Sequence, residues 1–287
     1  MLNLLRAEVR KILGHRGLAV LLVWLWPVGG VLLPLILLVL ALFPSPSADR
    51  RLPIEFRWTD VALGAWAIPT NLVGRFLFIA LAAAIFSGEY QWSTWKNLVP
   101  RADRARLLLA KYLAFAALTV FAFGLTSLLL PIGMGAVQAV RGLPYPPRPT
   151  PDVVQTFIGN YLVQVALTVL NTMIGVSIAA LSAMLTRSIL GGIIGGTFFV
   201  FGEIGLVTAL IALGIFLHSP QIADTARFTS AINIANISSW VQYGQPVYLQ
   251  VQGTGTNSLV GSFVILLVWL IVLVGIMLTV FQRQDLM

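Results

Sequence analysis

Ser87-Gly-Glu-Tyr-Gln-Trp-Ser-Thr-Trp-Lys-Asn-Leu-Val-Pro-Arg-Ala-Asp-Arg-Ala-Arg106, followed directly by Leu107-Leu-Leu-Ala-Lys111, is a charged island between two long apolar runs. Val61–Phe86 precedes it and Leu107–Val137 follows it. Each run exceeds the roughly 20 apolar residues that a helix needs to cross a hydrocarbon core. The island therefore reads as a connector that emerges from a membrane, and both neighbours read as spans.

The same pattern recurs along the chain. Of 287 residues, 58% are hydrophobic and 10% charged, and the mean hydropathy is +0.91, well outside soluble globular usage. Six spans can be drawn: Leu18–Phe43, Val61–Phe86, Leu107–Val137, Val153–Leu185, Ile189–Leu217 and Ser258–Phe281. Helical spans follow because lipid leaves no backbone group unpaired. A barrel would need strands of about ten residues with alternating polarity, and Val31–Phe43 and Phe263–Val280 show no such alternation. The expected fold is an all-α integral membrane domain that covers residues 1–287.

An even number of spans returns both termini to one side, and basic residues in short loops orient the chain. One side carries eleven: Arg6, Arg10, Lys11, Arg16, Lys96, Arg101, Arg104, Arg106, Lys111, Arg187 and Arg283. The other carries six: Arg50, Arg51, Arg57, Arg141, Arg148 and Arg227. Both termini and the loop 87–106 are thus expected in the cytoplasm, and the net charge of +8 is topological, with no nucleic-acid partner implied. The N-terminal apolar run is too long for a cleaved signal peptide and reads as an uncleaved span. Ahead of it, Leu2, Leu5, Val9 and Ile12/Leu13 recur at helical spacing, with Arg6, Arg10 and Lys11 on the remaining arc. That is the pattern of an amphipathic helix in the lipid interface, or of a basic tail continuous with the first span.

Between spans, Arg141-Gly-Leu-Pro-Tyr-Pro-Pro-Arg-Pro-Thr-Pro151 cannot continue a helix and reads as a stiff external linker. The longest loop, 218–257, reads as an external cap or re-entrant element. Its Asn236-Ile-Ser matches a glycosylation acceptor. Glycines of the fifth span, Gly191, Gly192, Gly195, Gly196, Gly202 and Gly205, predict close helix packing against another span or a second copy of the chain.

Catalytic motifs are missing. There is no cysteine, and no phosphate-loop pattern of the G-x-x-x-x-G-K-[ST] kind. The two histidines, His15 and His218, stand near opposite faces, which excludes a zinc-protease motif. Two ionisable residues, Arg75 and Glu203, fall deep within spans, where an isolated charge costs about 2.5–3.5 kcal/mol. They are expected to pair, or to line a pathway with Asn71, Asn160, Gln164 and Asn171.

The order of motifs resembles ABC-2 type transporter permeases, the membrane subunits of ATP-binding cassette exporters. Glu89-Tyr90-x-x-[small]-Thr94 ends the second span, with Ser93 where that family usually has Gly. A basic segment and Leu-Leu-Leu-Ala-Lys111 then open the third. Leu4-Leu-Arg-Ala-Glu-Val-Arg-Lys11 before the first span and Phe281-Gln-Arg-Gln-Asp-Leu286 after the sixth agree in layout. The resemblance implies a non-catalytic permease in a prokaryotic plasma membrane, working with a second permease copy or a related one. It implies a separate ATPase subunit that binds ATP and Mg, while this chain binds no cofactor. Glu89, Tyr90, Trp92, Ser93, Thr94, Trp95, Lys96 and Arg101 would belong to the coupling helix that contacts the ATPase. Thr186, Arg187 and Ser188 would form a second contact. Two other readings stay open: an accessory subunit of a larger membrane complex, and a proton-coupled carrier built on Glu203.

Overall fold

The structure, a computed structural model, describes residues 1–43, 56–91, 103–249, 251 and 253–284. Among the described residues all regular structure is helical, and six helices are long and apolar enough to cross a membrane. The fold is that of a multi-pass helical membrane protein.

Helix α1, Leu2–Gly14, lies against the start of the third span. Leu5, Val9 and Ile12 face inward, as their spacing predicts. Leu2 and Leu13, expected on the same stripe, are exposed, and Glu8 takes an inner position instead, 6% exposed. Part of the predicted interfacial face is therefore a protein contact. The first span, α2, covers Arg16–Leu42 and contains one π turn, Val20–Trp24, that turns Leu22 and Val23 into the core.

The second span differs from the continuous Val61–Phe86 helix expected from hydropathy. Helix α3, Trp58–Ala67, gives way to a 3-10 turn at Ile68–Thr70, and α4 runs from Leu72 to Gln91. Pro69 has no amide proton to donate, and Asn71 is extended, with ψ 165°. The Asn71 Oδ1 accepts the Gly74 amide at 2.8 Å and so restarts the helix as a cap does. Gly74 is required here, because a Cβ would lie 2.0 Å from the Ile68 carbonyl oxygen.

Helices α5, Arg104–Val140, and α6, Pro151–Thr186, are each about 55 Å long at about 1.5 Å per residue, so both project beyond a hydrocarbon core. The proline-rich linker between them folds back on the bundle. The Trp58 indole donates to the Pro147 carbonyl at 2.8 Å, and the Tyr145 hydroxyl donates to that of Pro131 at 2.9 Å. Burial pushes the Tyr145 phenol up to about 12, which keeps it a donor. The main core is shared by Phe78, Ala82 and Phe86 of α4, Leu108, Phe115 and Phe123 of α5, and Val176, Ala180 and Met184 of α6.

Helix α7, Ile189–Phe216, docks through its glycines. A Cβ on Gly192 would meet the Ala83 Cβ at 2.7 Å, and one on Gly196 would meet Ile79 at 2.6 Å. The partners of these glycines are α4 and α6 of the same chain. Gly202 and Gly205 belong to a different surface, with nothing within 4 Å of a Cβ at either position.

After α7 the chain turns back inward through the short α8, Pro220–Asp224, and a 3-10 turn. It then rises as α9, Ser230–Tyr243. The start of α9 contacts Glu203, about 20 Å along α7 from its Phe216 end, and the 14 residues of α9 cover about the same distance back. The segment is thus re-entrant. Several of its polar groups are satisfied internally, as membrane depth favours. The Asn236 Nδ2 donates to the Asn257 carbonyl and the Ser262 Oγ, both at 2.8 Å. Asn236 is 2% exposed, which overturns the glycosylation reading. The last span, α10, Leu259–Arg283, is capped by the Ser258 Oγ, which accepts the Gly261 amide.

Gly192→Val is expected to force α7 off α4, destabilising the protein by about 1–3 kcal/mol or more, whereas Gly202→Val changes stability by less than about 0.5 kcal/mol. Thermal unfolding of the two variants in detergent checks this contrast.

Candidate functional site

Among the described residues, two buried ion-pair clusters interrupt the apolar bundle. The first lies where both ends of the chain meet. Lys111, in the third turn of α5, is 1% exposed. Its Nζ lies 2.8 Å from the Glu89 Oε1 and 3.0 Å from the Glu8 Oε2. The half-exposed Lys11 also contacts the Glu89 carboxylate. Among the described residues the cluster brings together two ammonium groups and two carboxylates. Removing one member would strand a buried charge.

One layer further out, Arg104 at the start of α5 donates to the Phe281, Gln282 and Gln284 carbonyls at 3.0, 2.9 and 2.9 Å. A cation at the carbonyls of the last turn is a favourable end to α10. The Tyr90 hydroxyl donates to the Gln284 Oε1 at 2.6 Å, and the Gln284 Nε2 donates to the Met184 carbonyl at 2.9 Å. Met184 belongs to the last turn of α6, just before Arg187 ends that helix in the left-handed region with φ 53°. The Ser188 amide returns to the Ala183 carbonyl at 3.3 Å, and Ile189 opens α7.

The cluster thereby joins α1, the end of α4, the start of α5, the α6–α7 turn and the end of α10. Among the predicted contact residues, Glu89 is turned inward, Tyr90 bridges to the chain's C-terminal segment, and Thr186 and Arg187 are exposed beside the same seat. Trp92, Ser93, Thr94, Trp95, Lys96 and Arg101 lie outside the described residues. Sequence reasoning missed Lys111 as the shared partner of Glu8 and Glu89. Their signals were an acid on the apolar stripe of α1 and a lysine inside an apolar run.

The second cluster lies within the bundle. The Arg75 Nη2 donates to the Glu203 Oε2 at 3.2 Å. The other carboxylate oxygen accepts the Ala231 amide at 2.6 Å and the Ser230 hydroxyl. Glu203 therefore pairs with Arg75 and also serves as the acceptor at the N-terminus of α9, where a negative charge is favourable.

The remaining residues predicted to share this lining are separated. Asn171 is 2% exposed and lines a small cavity with Arg75. Asn71 is exposed and caps α4. Gln164 and Asn160 lie about 10 and 16 Å along α6 from Asn171. Ser230 and Ala231 were missed, although Thr229-Ser230 ahead of a helical run is an N-terminal signal.

These features define a multi-pass helical membrane protein with a polar seat where α1, the start of α5 and the end of α10 meet. No protein family, no curated protein and no solved structure matches the chain.

Lys111→Met leaves Glu8 and Glu89 buried without their shared cation and is expected to cost about 3–5 kcal/mol. Adding Glu8→Gln and Glu89→Gln recovers most of the loss. Chemical or thermal unfolding of the single and triple variants in detergent reads both effects.

Proposed function

We propose that this chain is the permease subunit of an ATP-binding cassette exporter of the ABC-2 type, non-catalytic by itself and driven by a separate ATPase subunit. The observation that supports this most is the mounting of the loop that begins after Gln91. Its preceding turn is held by Glu89 in the buried Lys111 cluster and by Tyr90 on Gln284, and its far end enters α5 at Arg104.

A loop fixed at both ends to the first turns of a 37-residue helix is a handle. On this view, force applied to it passes to α4 and α5, whose ends are pinned to each other through Glu89 and Lys111. In this reading Glu89 holds the handle and does not itself touch the partner. The contact is made by Trp92, Trp95 and Lys96, with Thr186 and Arg187 as a second point. The basic bias of this face, eleven residues against six, favours its placement in the cytoplasm, where a nucleotide-driven partner would dock. ATP and Mg belong to that partner, since the sequence has no phosphate loop. A second permease copy, or a related one, completes the pathway.

The carrier reading is disfavoured by Glu203. Its carboxylate is already engaged by Arg75 and by the start of α9, so repeated protonation would repeatedly unseat a helix.

The test is reconstitution from the native membrane. The full chain is expected to co-purify with a protein that hydrolyses ATP through a phosphate loop. Trp95→Ala is expected to lower the chain-dependent part of that ATPase activity at least tenfold while leaving the unfolding temperature of the chain unchanged. Absence of such a partner, or full activity with Trp95→Ala together with Arg187→Ala, sinks the exporter reading and leaves an accessory subunit.

A further inference from the structure

Helix α1 has a second face that the bundle leaves uncovered. At about 100° per residue, Leu2, Leu13, Arg6 and Arg10 fall within about 80° of one another around the helix. All four are exposed, Leu2 to 70% and Leu13 to 41%. Among the described residues neither Arg6 nor Arg10 has an ion pair. The only acid of the helix, Glu8, is buried against Lys111. Lys11 stands about 180° from Leu2 and reaches Glu89 instead. The uncovered arc is thus apolar along one edge and cationic along the other.

The place of α1 in the chain fixes what lies beside this arc. The helix ends at Gly14, His15 is extended at φ −88° and ψ 103°, and the first span starts at Arg16. The His15 Nδ1 accepts the Leu18 amide at 3.3 Å and caps that start. With no linker between the two helices, α1 lies at the edge of the hydrocarbon that the exposed Val20 and Leu21 enter. An arginine at such an edge lays its apolar stem along lipid while its planar guanidinium reaches the headgroup layer and matches phosphate oxygens. We propose that the arc of Leu2, Arg6, Arg10 and Leu13 is a binding surface for anionic phospholipid, with the leucines in the acyl boundary and the guanidinium groups on the headgroup phosphates.

The chemistry selects the anionic lipid. A zwitterionic headgroup carries its own ammonium beside the phosphate, whereas an anionic one presents the phosphate uncompensated to two arginines that have no exposed acid on their helix. Basic residues beside a membrane gain attraction from an anionic leaflet, and an amphipathic helix adds the burial of its apolar edge. A soluble acidic partner would answer the charges alone, because the arc runs into the outward apolar residues of the first span, where lipid already lies. On the opposite side of the same helix Glu8 meets Lys111, so lipid and buried cluster hold α1 from two sides. This inference does not rest on the exporter reading, because it concerns the contact of α1 with the bilayer and needs no protein partner.

The chain has no cysteine, so a single introduced cysteine carries the only label. Gly14→Cys suits this purpose, since a Cβ there meets nothing within 4 Å and the position lies one turn beyond Arg10. The full chain with a fluorophore at that cysteine is reconstituted in vesicles of equal parts phosphatidylcholine and phosphatidylglycerol, with brominated acyl chains on one lipid or the other. Bromine on phosphatidylglycerol is expected to quench at least about twofold more than bromine on phosphatidylcholine, and the difference to shrink in high salt. Arg6→Gln with Arg10→Gln is expected to abolish the preference and to leave the unfolding temperature unchanged. Equal quenching by the two lipids overturns the anionic site. Quenching by neither overturns it as well and leaves the arc to a protein partner, and a preference that survives the double substitution refutes it. Should the Gly14→Cys chain fail to fold, Asn3→Cys, exposed beside the same arc, takes the label with the same expectations.

Discussion

A lysine side chain enclosed to 1% exposure needs partners in place of its water, and Lys111 finds two carboxylates. They come from distant parts of the chain: Glu8 from α1 and Glu89 from the end of α4. Because neither the ammonium nor the carboxylates tolerate burial alone, the three elements that supply them are held in one arrangement. Arg104, two turns earlier on α5, then gathers the last carbonyls of α10. The first turns of one helix thus anchor both ends of the chain, and the loop after Gln91 starts from that anchor.

The same electrostatic constraint acts again at depth. A helix that begins inside a bundle exposes amide groups with no water to accept them. The start of α9 is such a place, and Glu203 is its acceptor. Arg75 balances the carboxylate, so the re-entrant segment, α7 and α4 share one charge pair. The break at Pro69–Asn71 belongs to this arrangement, since it restarts α4 one turn before Arg75. Glycines then let α7 approach closely enough for the pair to form, with Gly192 against Ala83 and Gly196 against Ile79.

Much of this was readable from local signals. The helices of the fourth and sixth spans begin within two residues of expectation, because Pro151 suits a first helical position and the Ser258 hydroxyl caps the Gly261 amide. The second span was misjudged because hydropathy registers composition and not backbone. Ile68-Pro69-Thr70 is apolar enough to pass as membrane helix, yet Pro69 and the Asn71 side chain break it. Of the polar residues expected to line one pathway, Arg75 and Glu203 pair, while Asn71 and Asn160 lie elsewhere, since depth along a span says nothing about which face a residue occupies. The Lys111 cluster left only separate signals, an acid on the apolar stripe of α1 and a lysine inside an apolar run, and nothing in them joined the two. Glu8, Glu89 and Lys111 are brought together only by tertiary packing, and Glu89 by itself looks like a surface residue of a charged loop.

The central claim is that Lys111 fastens α1 to the bundle and thereby fixes the seat on which the loop after Gln91 is mounted. Native-state hydrogen exchange of the full chain, compared between the unaltered protein and Lys111→Met, addresses it most directly. The account predicts that amides of α1 and of the last turn of α4 lose protection together, by at least tenfold, while those of α7 and α9 keep theirs. Unchanged protection in α1, or a uniform loss across the chain, would contradict it.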